Sequence, residues 1–323
     1  MCIRDSFISI SSQENIKYQK PSKEILDLVE FERPPSILYD ENKNFMLFLF
    51  RDNYKSIAEL SAKELRLGGL RIDPKTNIGS RVTYYNNVKI RNLKNQKSEI
   101  TQVKGLPKNP KLSNISWSPD QKRIALTNTT ETGVELWVLE LANGSVTKLP
   151  EPNLNSNIGS VINWFSDSEN MLVKMISNNR RPLIDTNKIV PDGPTISTNF
   201  GEKAQNRTYQ DLLKNKFDEH NFEQLSTSTI YKVSIDGSVK KWMDDGMYRT
   251  ISFSPNGEYV MISQINKPFS YVVTYSRFPT ETNIYNKYGD FVSNLQKVPL
   301  IEELPKGFMS VRTGTVSYTH LTL

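Results

Sequence analysis

The sequence predicts an all-β fold in which small antiparallel four-stranded sheets stack on one another. The first observation is the segment 112–149, where turn signals separate four short apolar runs. The second is that the third run, residues 134–141, is apolar on both faces, which is typical of a strand sandwiched between sheets. The third is that this unit recurs along the chain. Stacked four-stranded units of this kind are the blades of a β-propeller.

Two turns set the strand register within segment 112–149. Pro119 fixes φ for the first corner of a turn, and Asp120 tolerates the next corner because its carboxylate can bond to nearby backbone. Asn143 and Gly144 join the third and fourth runs, and an Asn-Gly pair is the strongest short hairpin signal because both residues accept a positive φ. The segment is therefore predicted to be one β-meander.

Three further copies of the unit are visible. Residues 161–176 repeat the tryptophan, the turn and the apolar run, and residues 251–262 repeat them with Phe253 in place of the tryptophan. Residues 37–50 are a weaker copy near the start. At roughly 40 to 50 residues per blade, and with allowance for insertions, the length predicts about five blades. The fold class that follows is an incomplete β-propeller of four-stranded blades with two helical or loop excursions.

The two excursions interrupt the strand pattern. An amphipathic lead-in at residues 21–35 ends in a double proline before the first copy. After that copy, Ser56 and Glu59 form a capping box and predict a helix that runs to Gly68-Gly69. The second excursion begins with residues 179–201, which contain three prolines and no periodicity and are predicted to be loop.

Downstream of that loop the pattern returns to regular structure. A capping pattern at residues 208–211 predicts the start of a helix. Residues 271–275 are predicted to be a strand, and residues 282–295 are predicted to be two strands with a turn at Lys287-Tyr288-Gly289-Asp290.

Composition excludes several classes of protein. The chain has 323 residues of which 37% are hydrophobic, so it can bury a substantial core. The 41 Lys and Arg exceed the 35 Asp and Glu, but the surplus is spread along the chain and is interpreted as solvated surface. No apolar run approaches the ~20 residues that a membrane span needs. We therefore expect no nucleic-acid partner and no membrane span.

Both ends depart from the pattern beside them. Residues 1–6 (MCIRDS) and 316–323 (VSYTHLTL) resemble translated sequencing-adapter read-through and are excluded from fold reasoning. Residues 7–20 begin with the apolar stretch FISISSQ and are interpreted either as a signal-peptide remnant or as a disordered tail. A signal peptide would direct the protein to the periplasm or out of the cell. Residues 21–315 are then the partial β-propeller.

The sequence contains no catalytic motif. It has no Gly-x-Ser-x-Gly nucleophile elbow, and His220 is the only histidine outside residues 316–323. A Ser-His-Asp triad needs a preorganised imidazole, whereas His220 follows an acidic helical stretch and is interpreted as a surface residue. Cys2 is the only cysteine, so a zinc site would rest on carboxylates alone, and no glycine-rich phosphate loop follows a strand. We expect no catalytic residue, metal or cofactor in this chain.

Several segments together resemble a known family in their order and spacing. They are residues 45–47 (FML), 54–60 (YKSIAEL), 64–72 (ELRLGGLRI), 133–137 (GVELW), 207–213 (RTYQDLL), 268–271 (PFSY) and 277–279 (RFP). The chain resembles the glutamyl endopeptidases of bacteria and plastids, a branch of the prolyl oligopeptidase family of serine peptidases. The resemblance covers about residues 21–314.

The resemblance implies a parent protein of two domains, an N-terminal propeller and a C-terminal α/β-hydrolase that carries Ser, Asp and His. It implies hydrolysis of peptide bonds after acidic residues, with the propeller covering the active site and restricting access. The implied partners are a peptide substrate and the missing hydrolase domain of the same chain, so this part is expected to be inactive alone. The alternative is a non-enzymatic TolB-like propeller that binds a protein or peptide.

An acidic substrate side chain would be bound by an arginine guanidinium, whose paired N–H groups match the two oxygens of a carboxylate. The candidates are Arg180 and Arg181 in the proline-rich loop, Arg207 before the predicted helix, and Arg277 beside Phe278-Pro279. Each could instead be a solvated arginine or part of a salt bridge. A second set of side chains is expected either to line a substrate cavity or to pack between blades, namely Phe269, Tyr271 and Tyr275.

Overall fold

A computed structural model describes residues 19–95, 97–150, 153–185, 188 and 209–302. The strands are β1 (Ser36–Tyr39), β2 (Phe45–Phe50), β3 (Leu65–Leu67), β4 (Leu70–Ile72), β5 (Asn87–Asn92), β6 (Thr101–Gln102), β7 (Leu112–Trp117), β8 (Arg123–Thr129), β9 (Val134–Glu140), β10 (Ser145–Lys148), β11 (Ile162–Trp164), β12 (Asn170–Ile176), β13 (Ser228–Ser234), β14 (Val239–Phe253), β15 (Tyr259–Ile265), β16 (Thr280–Asn286) and β17 (Phe291–Val298). The helices are α1 (Lys23–Val29), α2 (Ile57–Leu60) and α3 (Lys216–Ser226).

The strands form four antiparallel four-stranded blades. Blade 1 has the order β1-β2-β5-β6, and blade 2 has the order β7-β8-β9-β10. Blades 3 and 4 lie in one seven-stranded sheet, because the long strand β14 belongs to both. Its first half, as far as Gly246, pairs with β13, and its second half, from Met247 onward, pairs with β15. The described ranges thus hold four blades where the length predicted about five, because the two excursions use the remaining chain.

Buried apolar cores join successive blades. Each core draws its residues from two facing blades, for example Leu49 and Leu126 for blades 1 and 2, Leu136 and Val173 for blades 2 and 3, and Leu172 and Val260 for blades 3 and 4. The first strands of neighbouring blades meet, since Trp164 Nε1 donates to the Ser116 carbonyl at 3.2 Å. This stacking confirms the predicted all-β propeller.

The same tight turn follows the first strand of every blade. In each turn one residue has a left-handed backbone and its N–H donates to the carbonyl three residues earlier. The left-handed residues are Lys43 (φ 53°), Gln121 (φ 58°), Ser168 (φ 60°) and Gly257 (φ 72°). The turn predicted at Pro119 is therefore confirmed, and only one of its four copies uses the glycine that this conformation favours.

In the first excursion the helix start was predicted correctly and the helix end was not. The Ser56 hydroxyl accepts from the Glu59 N–H, and the Glu59 carboxylate accepts from the Ser56 N–H. However, the helix ends at Leu60, and strands β3 and β4 form a hairpin whose turn is Gly68-Gly69. Both glycines have positive φ, which suits a two-residue hairpin turn, and pairing β3 with β4 allows Leu67 and Ile72 to be buried.

Two predictions for the later chain also fail. Helix α3 does not begin near residues 208–211 but at Lys216, after the cap residue Asn215, whose side chain accepts from the Phe217 and Asp218 N–H groups. Asp211 has φ 59°, outside the right-handed helical region. Residues 271–275 form no strand and lead into a short 3-10 turn at Tyr275–Arg277. The turn predicted at residues 287–290 joins β16 and β17 as expected.

The two ends of the chain, residues 1–18 and 303–323, lie outside the described residues, and so do the predictions made for them.

Candidate functional site

An accessory core lies beside the blades and unites the two excursions. Its buried members come from the β3-β4 hairpin, the loop before β11, the chain that leads into α3, helix α3 itself, the middle of β14, the end of β15, and the chain between β15 and β16. They are Leu67, Ile72, Ile158, Leu213, Phe222, Leu225, Met247, Ile265, Val273 and Phe278. Segments 64–72, 209–213, 268–271 and 277–279 all contribute to this core. Four of the seven segments that carry the resemblance to a peptidase family are therefore neighbours in space.

Three phenylalanine rings pack at the centre of the accessory core. The ring centroids of Phe222 and Phe269 are 5.1 Å apart, those of Phe222 and Phe278 are 5.5 Å apart, and those of Phe269 and Phe278 are 5.3 Å apart. Tyr275 packs against the same core, whereas Tyr271 is exposed. Phe269 and Tyr275 therefore serve in packing, and of the three aromatic candidates Tyr271 faces solvent.

A charged network ties the hairpin to the chain before α3. Arg71 Nε lies 2.6 Å from Asp211 Oδ2, and the Gly69 N–H donates to the Asp211 carbonyl at 2.8 Å. The hydrogen bond that Arg71 donates to the Asp211 carboxylate raises the pKa of the Arg71 guanidinium. At the other end of the network, a hydrogen bond from the Ser80 hydroxyl at 2.6 Å lowers the pKa of the Glu64 carboxyl. The positive charge of Arg71 is thus compensated by the carboxylates of Asp211 and Glu64.

The C-terminal end of α3 is capped by asparagine side chains. The Leu225 carbonyl accepts amide N–H groups from Asn77 at 3.2 Å, from Asn155 at 2.9 Å and from Asn157 at 2.6 Å. Asn155 also donates to the Thr227 carbonyl at 2.9 Å. Helix ends leave carbonyl groups without partners inside the helix, and these amides satisfy them. The end of α3 is therefore held against the insertion of blade 1 that contains Asn77 and against the loop that precedes blade 3.

Arg180 is a half-buried cation beside this cap. One of its terminal amino groups donates to Asn77 Oδ1 at 3.2 Å, and no described carboxylate lies within ion-pair distance. Burial lowers the pKa of the Arg180 guanidinium, because the charged form loses contact with water. A guanidinium in this state gains by binding an anion, and its remaining N–H donors suit a carboxylate.

The other predicted arginines occupy different settings. Arg181 is exposed, and its backbone N–H donates to Gln224 Oε1 on α3 at 2.7 Å. Arg277 is half-buried at the end of the 3-10 turn and makes no side-chain hydrogen bond or ion pair with a described residue. Arg207 lies outside the described residues. The structure thus brings Arg180 and Arg181 together along α3, and no described contact joins either of them to Arg277.

Two cations that sequence reasoning passed over lie near the same core. Lys174 is only 2% exposed, and its ammonium donates to the Ile158 carbonyl. Burial lowers the pKa of Lys174 to about 7. Its position in the apolar run MLVKMI was a visible signal. Arg249, in β14, donates to the Ser276 carbonyl at 3.3 Å, and no sequence pattern marked it.

In the described ranges, no helix is long and apolar enough to cross a membrane. Within the same ranges, no three His, Cys, Asp or Glu side chains are grouped as metal ligands.

Comparison with known proteins identifies relatives over nearly the whole chain. No family model matches the sequence. The chain is 31% identical over 309 residues to "Probable glutamyl endopeptidase, chloroplastic" of Oryza sativa subsp. japonica, a match that covers 92% of this chain and 33% of the relative. It is 30% identical over 313 residues to the protein of the same name from Arabidopsis thaliana, covering 92% of this chain and 32% of that protein.

Solved structures were compared as well. A Pyrococcus horikoshii acylaminoacyl peptidase aligns with a TM-score of 0.44 and 16% identity, over 84% of this chain and 33% of that chain. The chain spans about a third of the length of the curated relatives it matches. The matched sequence relatives carry the name that the resemblance of the separate segments predicted. The chain belongs to the glutamyl endopeptidase branch of the prolyl oligopeptidase family of serine peptidases, and it holds blades of the family's β-propeller.

Proposed function

We propose that this chain is the substrate-gating propeller of a serine endopeptidase that cleaves peptide bonds after Glu or Asp. The observation that carries the proposal is the similarity to glutamyl endopeptidases over 92% of the chain at 31% identity. Because the match covers 33% of that relative, the proposal assigns the Ser, Asp and His of catalysis to an α/β-hydrolase domain outside these 323 residues. The propeller covers that domain's active site and admits peptides.

Among the four candidate arginines, Arg180 has the surroundings that best support recognition of an acidic side chain. Its guanidinium is half-buried, lacks a described carboxylate partner, and is oriented by the Asn77 side chain, which α3 holds in turn. A substrate carboxylate would compensate its charge through two parallel N–H···O bonds. A glutamine side chain offers one neutral oxygen in place of two charged ones, so it would be bound less strongly.

The other three arginines serve as additional candidates on weaker grounds. Arg277 shares with Arg180 the lack of a described carboxylate partner. Arg181 is exposed, so solvent screens its charge, and Arg207 is supported by its sequence position alone.

The test uses the protein expressed from the complete gene and a matched pair of blocked fluorogenic peptides that differ only by Glu or Gln before the scissile bond. We expect hydrolysis of the Glu peptide, and we expect Arg180→Gln to lower its kcat/KM by about 10- to 100-fold. Hydrolysis of the Gln peptide should change little. The control is Arg33→Gln, which alters an exposed arginine of the lead-in. Peptide binding without hydrolysis by the complete protein would contradict the proposal and favour a TolB-like binding propeller.

We further propose that the protein acts in the periplasm or outside the cell. The support is the apolar stretch at residues 7–13, interpreted as the remnant of a signal peptide. Cell fractionation tests this, and recovery in the cytoplasmic fraction alone would contradict it.

A further inference from the structure

Several cations near the accessory core lack a carboxylate partner among the described residues. Other cations close to this core are compensated, since Arg71 pairs with Asp211 and Lys267 Nζ lies 2.8 Å from Glu223 Oε1. The half-buried arginines without such a partner are Arg180, Arg249 and Arg277. Unpaired charges at a partly buried site carry an energetic cost that a bound anion would offset.

The Arg249 side chain reaches the peptide bond that joins Ser276 to Arg277. Arg249 lies in the half of β14 that begins blade 4, and its guanidinium donates to the Ser276 carbonyl at 3.3 Å. Arg277 is the next residue along the chain from Ser276. Both arginines are half-buried, whereas Ser276 is exposed, so solvent and a ligand can reach this point. The single carbonyl accepts one donor of the Arg249 fork and leaves the others available.

Residues of blade 3 and of the loop before it pack against the backbone of Arg249. Gly159 has φ 57°, and a Cβ atom at this position would lie 2.1 Å from the Arg249 carbonyl oxygen. The carbonyl of the preceding residue, Ile158, accepts from the buried Lys174 ammonium. Blade 3 therefore holds the strand that carries Arg249 at a defined place. A preorganised guanidinium loses less conformational entropy when it binds an anion.

We propose that Arg249 and Arg277 form a second carboxylate-binding subsite, separate from Arg180, which takes an acidic side chain of a bound peptide. This inference rests on the proposed function for the kind of ligand, and it adds Arg249 to the residues that recognise it. The guanidinium is the side chain whose geometry matches a carboxylate best. A propeller with both subsites prefers peptides that carry more than one acidic residue.

The experiment measures binding of labelled blocked peptides to the full chain by fluorescence anisotropy. One peptide is acetyl-Ala-Glu-Ala-Glu-Ala-amide, and its control has Gln in place of both Glu residues. We expect the unaltered chain to prefer the Glu peptide. We expect Arg249→Gln and Arg277→Gln each to weaken binding of that peptide about tenfold and to leave binding of the Gln peptide unchanged. Arg249→Lys should restore part of the loss, because it keeps the charge without the fork.

Controls separate this inference from loss of folding and from the proposed function. Each variant is first compared with the unaltered chain in its thermal unfolding midpoint, and if Arg249→Gln unfolds, Arg277→Gln carries the test. Weaker binding after Arg180→Gln but not after either Arg249→Gln or Arg277→Gln would overturn the second subsite and leave the proposed function standing. Equal affinity of the unaltered chain for both peptides would also overturn the subsite, and Glu-specific hydrolysis by the complete protein would still uphold the proposed function.

Discussion

Arg71 Nε lies 2.6 Å from Asp211 Oδ2, although 140 residues of sequence separate the two side chains. The pair joins an insertion from blade 1 to the chain that enters α3 in blade 3. Since the same neighbourhood holds Leu213, Phe269 and Phe278, the accessory core is a meeting point of distant insertions. The proposed site depends on this assembly, because it positions the cations beside α3.

The first prediction concerns this ion pair. Asp211→Asn keeps a side chain that tolerates the left-handed backbone at φ 59° but removes the charge opposite Arg71. We expect the thermal unfolding midpoint to fall by about 2–4 °C. The difference should narrow at about 1 M salt, where screening is strong. Glu131→Gln, which removes an exposed carboxylate, is the matched control. A loss that is the same at all salt concentrations would contradict an electrostatic role.

The second prediction compares two copies of the blade turn. Lys43→Gly should stabilise the chain by about 0.5–1 kcal/mol, because relief of left-handed strain exceeds the entropy cost of glycine. Gly257→Ala should destabilise it by more than ~1 kcal/mol, since the new Cβ would lie 2.3 Å from Ser166 Oγ and φ is 72°. Urea unfolding measures both. Shifts in the same direction would refute the equivalence of the turns.

The third prediction tests the packing that fixes Arg249. Gly159→Ala should cost about 2–5 kcal/mol, because φ is 57° and the Cβ would meet a backbone oxygen that cannot rotate away. Gly79→Ala is the control, since its Cβ would lie 3.6 Å from the nearest atom, Val82 Cγ2. Comparable stability of the two variants in urea unfolding would show that blade 3 does not hold Arg249 as described.

The fourth prediction follows from the buried ammonium of Lys174. Its pKa is about 7 in the folded state and 10.5 without burial, so between these values the unfolded chain binds the extra proton. The free energy of unfolding should therefore rise with pH between about 7 and 10.5. Below this window Lys174 is protonated in both states and should add no pH dependence. The lysine contributes a slope of about 1.4 kcal/mol per pH unit.

Lys174→Met is the test of this slope, because methionine fills similar space without a charge. Urea unfolding from about pH 7 to about pH 9.5 should give the unaltered chain a steeper rise in stability than the variant. Other titrating groups are common to both proteins and cancel in the difference. Parallel curves would mean that burial does not lower the pKa of Lys174 in the folded state.

The blades could be predicted from sequence because they depend on local patterns. Alternating apolar residues and turn residues such as Pro119 and Asn143 act over a few positions, and the structure has strands where they indicate. The strand at residues 65–67 was misread as the end of a helix, because its helical-looking spacing was overridden by the gain from burying Leu67 and Ile72 in a hairpin.

The candidate site was predictable only in its residue types. Arg180 was chosen because guanidinium groups bind carboxylates, but its bond to Asn77 joins residues 103 positions apart, and no local pattern encodes such a contact. Arg249 lacked even a local signal, because its importance comes from Ser276 and Gly159, which reach it from other parts of the chain. Long-range packing, which a single sequence does not display, decides which arginines are left without a carboxylate.

Reading the complete coding sequence of the gene beyond Thr315 tests the peptidase assignment. We predict further propeller blades and then a Gly-x-Ser-x-Gly elbow followed by Asp and His in the order of an α/β-hydrolase. A reading frame that closes the propeller and stops without this elbow would contradict the peptidase assignment, and the chain would then be a binding propeller.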